Sequence, residues 1–162
     1  MAARPGVSDA EGGSEVIVVR VLDAGDVRVL DEVAPDVFDR AIDARLAAEF
    51  FADPRHHLAV AMHGTMVVGM ASAVHYVHPD KPPELWINEV GVAESHWRRG
   101  IGRDLMDALL ARGRDLGCHQ AWVATDAANV AAQRLYGSVG GVPEEALIFT
   151  IPIAGRGHGG SE

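Results

Sequence analysis

The chain reads as one mixed α/β domain, and three observations predict it. Its 162 residues suit a single domain with room for a real core. Apolar residues make up 48% and charged residues 23%, the balance of a soluble globular protein. The apolar pattern also changes period along the chain, from β-branched runs to helical spacing and back.

The elements follow in order. Glu15–Leu22 (EVIVVRVL) is β-branched and bounded by Asp23-Ala24-Gly25, which predicts an opening strand. Asp26–Val33 and Asp39–Phe51 carry helical spacing; Pro54 closes the second. His57–His63 and Met66–Tyr76, joined through Gly64, form an antiparallel hairpin. His78–Pro83 is a loop, and Glu84–Val92 (ELWINEVGV) is the next strand, with Trp86, Asn88 and Val90 on one side and Ile87, Glu89 and Gly91 on the other. Ile101, Leu105, Ala108, Leu109 and Leu116 mark a helix over Arg99–Leu116 that Gly117 stops. Gln120–Asp126 is a strand, Asn129–Val139 a short helix and Glu145–Ile153 a last strand. The flanks 1–14 and 154–162 are polar and rich in small residues, so both are expected to be disordered, leaving a domain over 15–153.

Charge and cysteine content narrow the function classes. The 14 Lys+Arg stand against 23 Asp+Glu, a net charge of −9, which disfavours a nucleic-acid partner because phosphate backbones need a basic face. Cys118 is the only cysteine, so there is no internal disulfide and no cysteine metal cluster. The histidines (His75 and His78, His56 and His57) lack a third ligand at a recognisable spacing and read as surface or hairpin residues, so no metal is expected. No apolar run approaches the ~18 residues of a membrane span, and no secretory h-region stands at the start. A reducing, cytoplasmic setting without membrane attachment is expected.

The informative stretch is Val90–Leu105, VGVAESHWRRGIGRDL. A strand ends, a short polar link follows, and Arg-Arg-Gly-Ile-Gly opens a helix. Gly100 and Gly102 let the backbone approach a ligand, while the first N–H groups of the helix lack intrahelical acceptors. Such an end binds pyrophosphate, and Arg98, Arg99 and Arg103 add charge. The P-loop is excluded because no Gly-Lys-Ser/Thr is present, and the dinucleotide fingerprint because Leu105 stands where its third Gly belongs.

What remains, R-x-G-x-G on a strand–turn–helix, resembles the pyrophosphate loop of the GNAT (GCN5-related) N-acetyltransferases. The stretch Asn129-Val-Ala-Ala-Gln-Arg-Leu-Tyr136-Gly-Ser-Val-Gly140 is similar to a second motif of that family, and the likeness spans Val16 to Ile153. It implies the α/β GNAT fold, a mixed and mostly antiparallel central sheet with helices on both faces. It further implies acetyl-CoA as cosubstrate, an acyltransferase activity and a homodimer. Two positions depart from the pattern: Trp97 replaces the usual Gln or Arg, and Gly140-Gly141 replaces Gly-Phe.

The resemblance assigns the cofactor to Val90, Val92, Arg98, Arg99, Gly100, Ile101, Gly102, Arg103 and Asn129, with Tyr136 as the acid for the leaving thiolate. A phenol with a pKa near ~10 is protonated at pH 7 and can donate. Glu89, an acid in an apolar strand, is the expected general base for the substrate ammonium. A main-chain N–H between Val90 and Val92 is expected to receive the oxyanion. Asp126, at the end of its strand, and Glu144 and Glu145, before the last one, join Glu89 as expected contacts to the acceptor.

The acceptor is expected to be a cationic small-molecule amine. Asp23–Asp53 holds nine acids against three arginines, and in the family these early helices border the acceptor. The runs from Ala73 to Gly102 and from Gly140 to Ile153 are similar to the GNAT-type aminoglycoside 3-N-acetyltransferases, with Glu89 and Thr150 each standing where that group has Asp. Another small amine or a protein amino group is the alternative acceptor. A binding module for acetyl-CoA without turnover is the alternative class, and it would need neither Tyr136 nor Glu89.

Overall fold

The computed structural model describes residues 16–153; the expected tails at 1–14 and 154–162, and Glu15, lie outside the described residues. Five strands, β1 (Ile17–Val21), β2 (His56–His63), β3 (Met66–Tyr76), β4 (Glu84–Val92) and β5 (Gln120–Val123), form one sheet in the order β1-β2-β3-β4-β5. The first four are antiparallel neighbours, and β5 joins β4 in parallel. Three α-helices, α1 (Ala44–Ala52), α2 (Ile101–Asp115) and α3 (Val130–Ser138), and two 3₁₀ segments, Ala24–Asp31 and Glu94–His96, complete the fold.

Helix α2 sits on a floor made flat by small side chains. Ala59, Ala61, Ala71 and Ala73 have no exposed surface, and a Cβ on Gly69 would stand 3.1 Å from Ile101 and 3.2 Å from Leu105. Close approach buries Leu105 and Leu109 completely, each contributing about 2 kcal/mol of apolar transfer. The first 3₁₀ segment and α1 lie on the other face, where Phe50 stacks on His56 at 4.9 Å. Helices on both faces of a mostly antiparallel sheet are therefore present as expected.

Several boundaries differ from the sequence expectation. The first expected helix is a 3₁₀ segment. The second begins at Ala44 because the Asp43 carboxylate accepts from the Arg45 and Leu46 amides at 2.9 and 3.0 Å, capping the helix there. The strand expected over Gln120–Asp126 stops at Val123. The strand expected over Glu145–Ile153 is not formed: those residues lie outside any strand and are exposed.

A bulge in β4 corrects the expected facing of its side chains. Ser72 pairs with Glu89 and Ala73 with Ile87, so Asn88 is the extra residue. Leu85 packs on Gly113 of α2, so Leu85 and Ile87 face α2. Val92 pairs with Gly69, which faces α2 as well, so Val90 and Val92 return to that face. Glu89 and Gly91 therefore face the opposite side from Ile87, toward the backbone of Val37. One inserted residue moves Glu89 out from under α2.

Candidate active site

β4 and β5 are tied at one end and open at the other. Their ladder runs only from Glu84–Gln120 to Ile87–Val123. At the tied end the Glu84 carboxylate, 3% exposed, accepts from Tyr76 Oη at 2.6 Å, Lys81 Nζ at 2.8 Å, Gln120 Nε2 at 3.0 Å and Trp122 Nε1 at 3.2 Å. The Lys81 ammonium and the Tyr76 hydroxyl, the two strongest donors, hold its pKa down to about 2. Sequence reading missed Glu84; only its place at a strand start beside Lys81 hinted at a partner.

Past Ile87 the strands part, and β4 presents an edge with no strand against it among the described residues. Ala93 donates to the Val68 carbonyl across the ladder at 2.9 Å. Antiparallel alternation then turns the main-chain groups of Val90 and Val92 away from β3, toward the opening. The side chains of both valines are half-buried.

The edge leads directly into the arginine-glycine loop. Gly100 caps α2 with φ +82°, and a Cβ there would touch nothing within 4 Å. Arg98 holds φ +59°, a left-handed conformation that L residues seldom adopt. Among the described residues the main-chain N–H groups of 98–103 donate to no protein acceptor. They stand at the positive end of a 15-residue helix, with Arg98, Arg99 and Arg103 exposed around them. Unpaired amides, a positive helix end and exposed cations together suit a pyrophosphate. Trp97 takes a defined role here: its indole N–H donates to the Val92 carbonyl at 2.6 Å and anchors the loop to the strand end.

α3 closes the loop from the side. A Cβ on Gly102 would stand 3.4 Å from Leu135, and Tyr136, the next residue, is half-buried against the core. Burial pushes the Tyr136 phenol up from its ordinary pKa, which keeps its proton on. Asn129 caps α3, its side-chain oxygen accepting from the Ala132 amide at 3.0 Å. Its amide nitrogen remains available.

Glu89 is half-buried, and its carboxylate makes no hydrogen bond or ion pair among the described residues. Burial, and then the charge of Asp39, raise its pKa above the ordinary carboxylate value. Asp39 comes near because the chain after the 3₁₀ segment crosses β4, setting the Val37 carbonyl over Gly91. Five of the nine acids of the N-terminal region have local work instead. Asp26 pairs with Arg20 at 2.7 Å, Glu49 with Arg45 at 3.3 Å and Asp53 with Arg55 at 2.6 Å. Asp43 caps α1 and Glu32 accepts from Thr65 at 2.6 Å. A cavity of about 740 Å³ lies between the 3₁₀ segment and α1, lined by Arg28, Asp31, Phe38 and Arg40 among others; Glu89, Tyr136 and the loop do not line it.

The remaining expected acceptor residues, Asp126, Glu144 and Glu145, are all exposed. Asp126 is exposed beyond the end of β5, its carbonyl accepting from the Asn129 amide at 2.9 Å. Glu144 and Glu145 are exposed on the unpaired C-terminal segment. The histidines also depart from expectation. His57 is 3% exposed, and its Nε2 lies 2.8 Å from His75 Nδ1 under α2; His63 and His96 pair at 2.9 Å. Among the described residues no group of three or more His, Cys, Asp or Glu could hold a metal ion, and no helix is long and apolar enough to cross a membrane.

Residues 27–140 match the model of the acetyltransferase (GNAT) family. No curated protein sequence matches the chain. Among solved structures it is similar to the aminoglycoside acetyltransferase meta-AAC0020 from an uncultured soil metagenomic sample, solved with sisomicin. That likeness has a TM-score of 0.73 at 17% identity, over 84% of this chain and 95% of that one. The aminoglycoside N-acetyltransferase AAC(6')-Iy in complex with CoA gives 0.69 at 20%, over 88% and 98%. The ribosomal-protein-alanine N-acetyltransferase of Brucella melitensis biovar Abortus 2308 gives 0.66 at 14%, over 84% and 99%. At such identities these likenesses establish the fold alone; the family match, which covers most of the chain, carries the assignment: this protein belongs to the GNAT acetyltransferase family and is an acyltransferase enzyme.

Proposed function

We propose that the enzyme transfers an acetyl group from acetyl-CoA to an amine of a cationic small molecule, with an aminoglycoside as the leading acceptor. The observation that carries this reading is the continuity of the opened β4 edge with the unpaired amides of residues 98–103. One polar track thereby offers a strand edge for an amide-bearing pantetheine arm and a cationic loop for a pyrophosphate. Acetyl-CoA supplies a thioester, an acyl donor activated toward amines.

The chain's own groups fit direct attack. Glu89, with its pKa raised, takes a proton from the substrate ammonium, directly or through water, so that a free amine reaches the thioester carbon. Main-chain N–H groups at Val90 and Val92 donate to the carbonyl oxygen as it gains charge. Tyr136 returns a proton to the departing thiolate. Arg98, Arg99, Gly100, Ile101, Gly102 and Arg103 bind the pyrophosphate, and Val90, Val92 and Asn129 the pantetheine.

The aminoglycoside reading rests on the likeness of the ELWINEVGV strand and its approach to the 3-N-acetyltransferases, and on the Glu89–Asp39 charge pair beside the opening. A specific observation favours a second acceptor class: five acids of the N-terminal region are held by local partners, which weakens a polycation site there. Another small amine or a peptide amino group is that second reading. The test is release of free CoA from acetyl-CoA in the presence of gentamicin-type aminoglycosides, spermidine, amino acids and peptides. Fastest release with an aminoglycoside, and a product acetylated at the 3-amino group, supports the first reading. Release with another amine alone replaces it. Acetyl-CoA binding without release for any amine returns the chain to a binding module.

A further inference from the structure

We propose that Trp97 is a positioning residue for the acyl donor: its indole locks the arginine-glycine loop to the end of β4, so that binding the donor's pyrophosphate fixes the pantetheine arm at one place on the strand edge. This inference rests on the reading of residues 98–103 as the pyrophosphate site and does not depend on the identity of the acceptor.

The link from strand to loop, Ala93–Trp97, is short and bonded at nearly every step. The Ala93 amide donates to the Val68 carbonyl at 2.9 Å, the His96 amide to Ala93 at 2.8 Å and the Trp97 amide to Glu94 at 3.2 Å. The His96 ring lies 2.9 Å from Ser95 Oγ and 2.9 Å from His63 Nδ1, which ties the link to β2. The Trp97 indole then closes the link on itself by reaching back to the carbonyl of Val92, the last residue of β4. Arg98, directly after it, holds φ +59°. Such a conformation persists where the surroundings fix it.

The indole is not there to fill the core. Trp97 is 56% exposed and stands outside the hydrophobic cluster under α2. A large ring left in solvent adds little by burial. What its hydrogen bond sets is the position of the amides of 98–103 relative to the strand edge.

The same bond decides which strand groups remain for the donor. Val90 and Val92 each turn an N–H and a carbonyl toward the opening. The indole engages the Val92 carbonyl at 2.6 Å. The N–H groups of both valines and the Val90 carbonyl are left. An arm that carries amides of its own therefore finds its free acceptor at Val90, next to Glu89. A placement shifted toward the loop meets an acceptor already in use. With the pyrophosphate held on a loop that is fixed to this strand, the thioester is delivered beside the base.

Calorimetric titration of the full chain with CoA and with 3′-phospho-ADP, the nucleotide end of CoA without its arm, reads this coupling. The ratio of the two affinities measures what the arm gains from being tethered to a bound pyrophosphate. Trp97→Phe keeps a ring at this exposed position and removes the N–H. It should lower the ratio about tenfold and leave the affinity for 3′-phospho-ADP within about threefold of the parent. Trp97→Gln, which returns an N–H donor on a side chain of similar reach, should restore most of the ratio. A general disturbance of the loop would weaken 3′-phospho-ADP as much as CoA. That result, or an unchanged ratio in Trp97→Phe, would overturn the positioning role while the pyrophosphate site stands. A parent chain that does not bind 3′-phospho-ADP at all overturns the pyrophosphate site itself, and the role of Trp97 with it.

Discussion

The carbonyl of Val37 lies directly over Gly91, in the space a Cβ would fill. Val37 is 2% exposed, and its carbonyl belongs to the main chain, so it cannot turn aside as a side chain would. This contact sets the distance between the N-terminal crossover and β4, and so brings Asp39 toward Glu89. Gly91→Ala is therefore expected to cost about 3 kcal/mol of stability in urea unfolding, as overpacking does. Turnover should fall as well, because Gly91 lies between Val90 and Val92. A fully stable Gly91→Ala enzyme would refute the contact.

Glu89 and Asp39 give a pH signature. A carboxyl pKa raised by burial and by a neighbouring negative charge means that the base form appears only above the ordinary carboxylate range. The acid limb of kcat/KM should thus lie above that range. Asp39→Asn removes the repelling charge and should move the limb to lower pH. Glu89→Gln should lower kcat about 100-fold and abolish the limb. A limb that survives in Glu89→Gln assigns the base elsewhere.

Much of this was legible in the sequence because local signals agreed. The hairpin at Gly64, the strand Glu84–Val92 and the helix after Gly100 lie close to where periodicity put them. The Asn88 bulge was not legible, since one extra residue in a ladder leaves no mark in an alternating pattern, and it reversed the side on which Glu89 was expected relative to Ile87. Nor was the Glu84 knot, whose donors come from positions 36 and 38 residues away. The apolar run of Glu145–Ile153 announced a strand, yet those residues lie outside any strand and are exposed.

Gly100 separates conformation from binding. A Cβ there meets open space, so Gly100→Ala should cost only about 1 kcal/mol for its left-handed φ. Gly100→Asp adds a carboxylate amid the unpaired amides of 98–103. It should weaken CoA binding at least ~100-fold while the fold persists, since two close negative charges cost several kcal/mol out of bulk water. Calorimetric titration with CoA reads the difference, and equal affinity in the two variants would remove the pyrophosphate site from this loop.

Tyr136→Phe tests the acid. Burial raises its pKa above the ordinary phenol value, so the proton stays on at neutral pH and any alkaline loss of activity that comes from it should lie above the ordinary phenol range. The variant should lose about 100-fold in kcat and bind CoA within about twofold of the parent. A thiol donor of lower pKa, which leaves without protonation, should restore part of the rate. Unchanged kcat would make Tyr136 a packing residue of α3.

The His57–His75 pair gives the fold a pH dependence of its own. Burial first, then His75 and the Arg112 guanidinium, hold the His57 pKa down to about 4, against ~6.5 in an unfolded chain. Between those values the unfolded state binds the extra proton, so stability rises with pH across the window and is lost as pH falls from 6.5 toward 4. The two ring nitrogens lie 2.8 Å apart, one donating and the other accepting. His57→Gln keeps a hydrogen-bonding side chain for His75 and cannot titrate. Relative to that variant, the parent should lose on the order of 3 kcal/mol between pH 6.5 and pH 4 in urea unfolding. Parallel pH curves for the two proteins would show that His57 titrates alike in the folded and unfolded chain, against the lowered pKa.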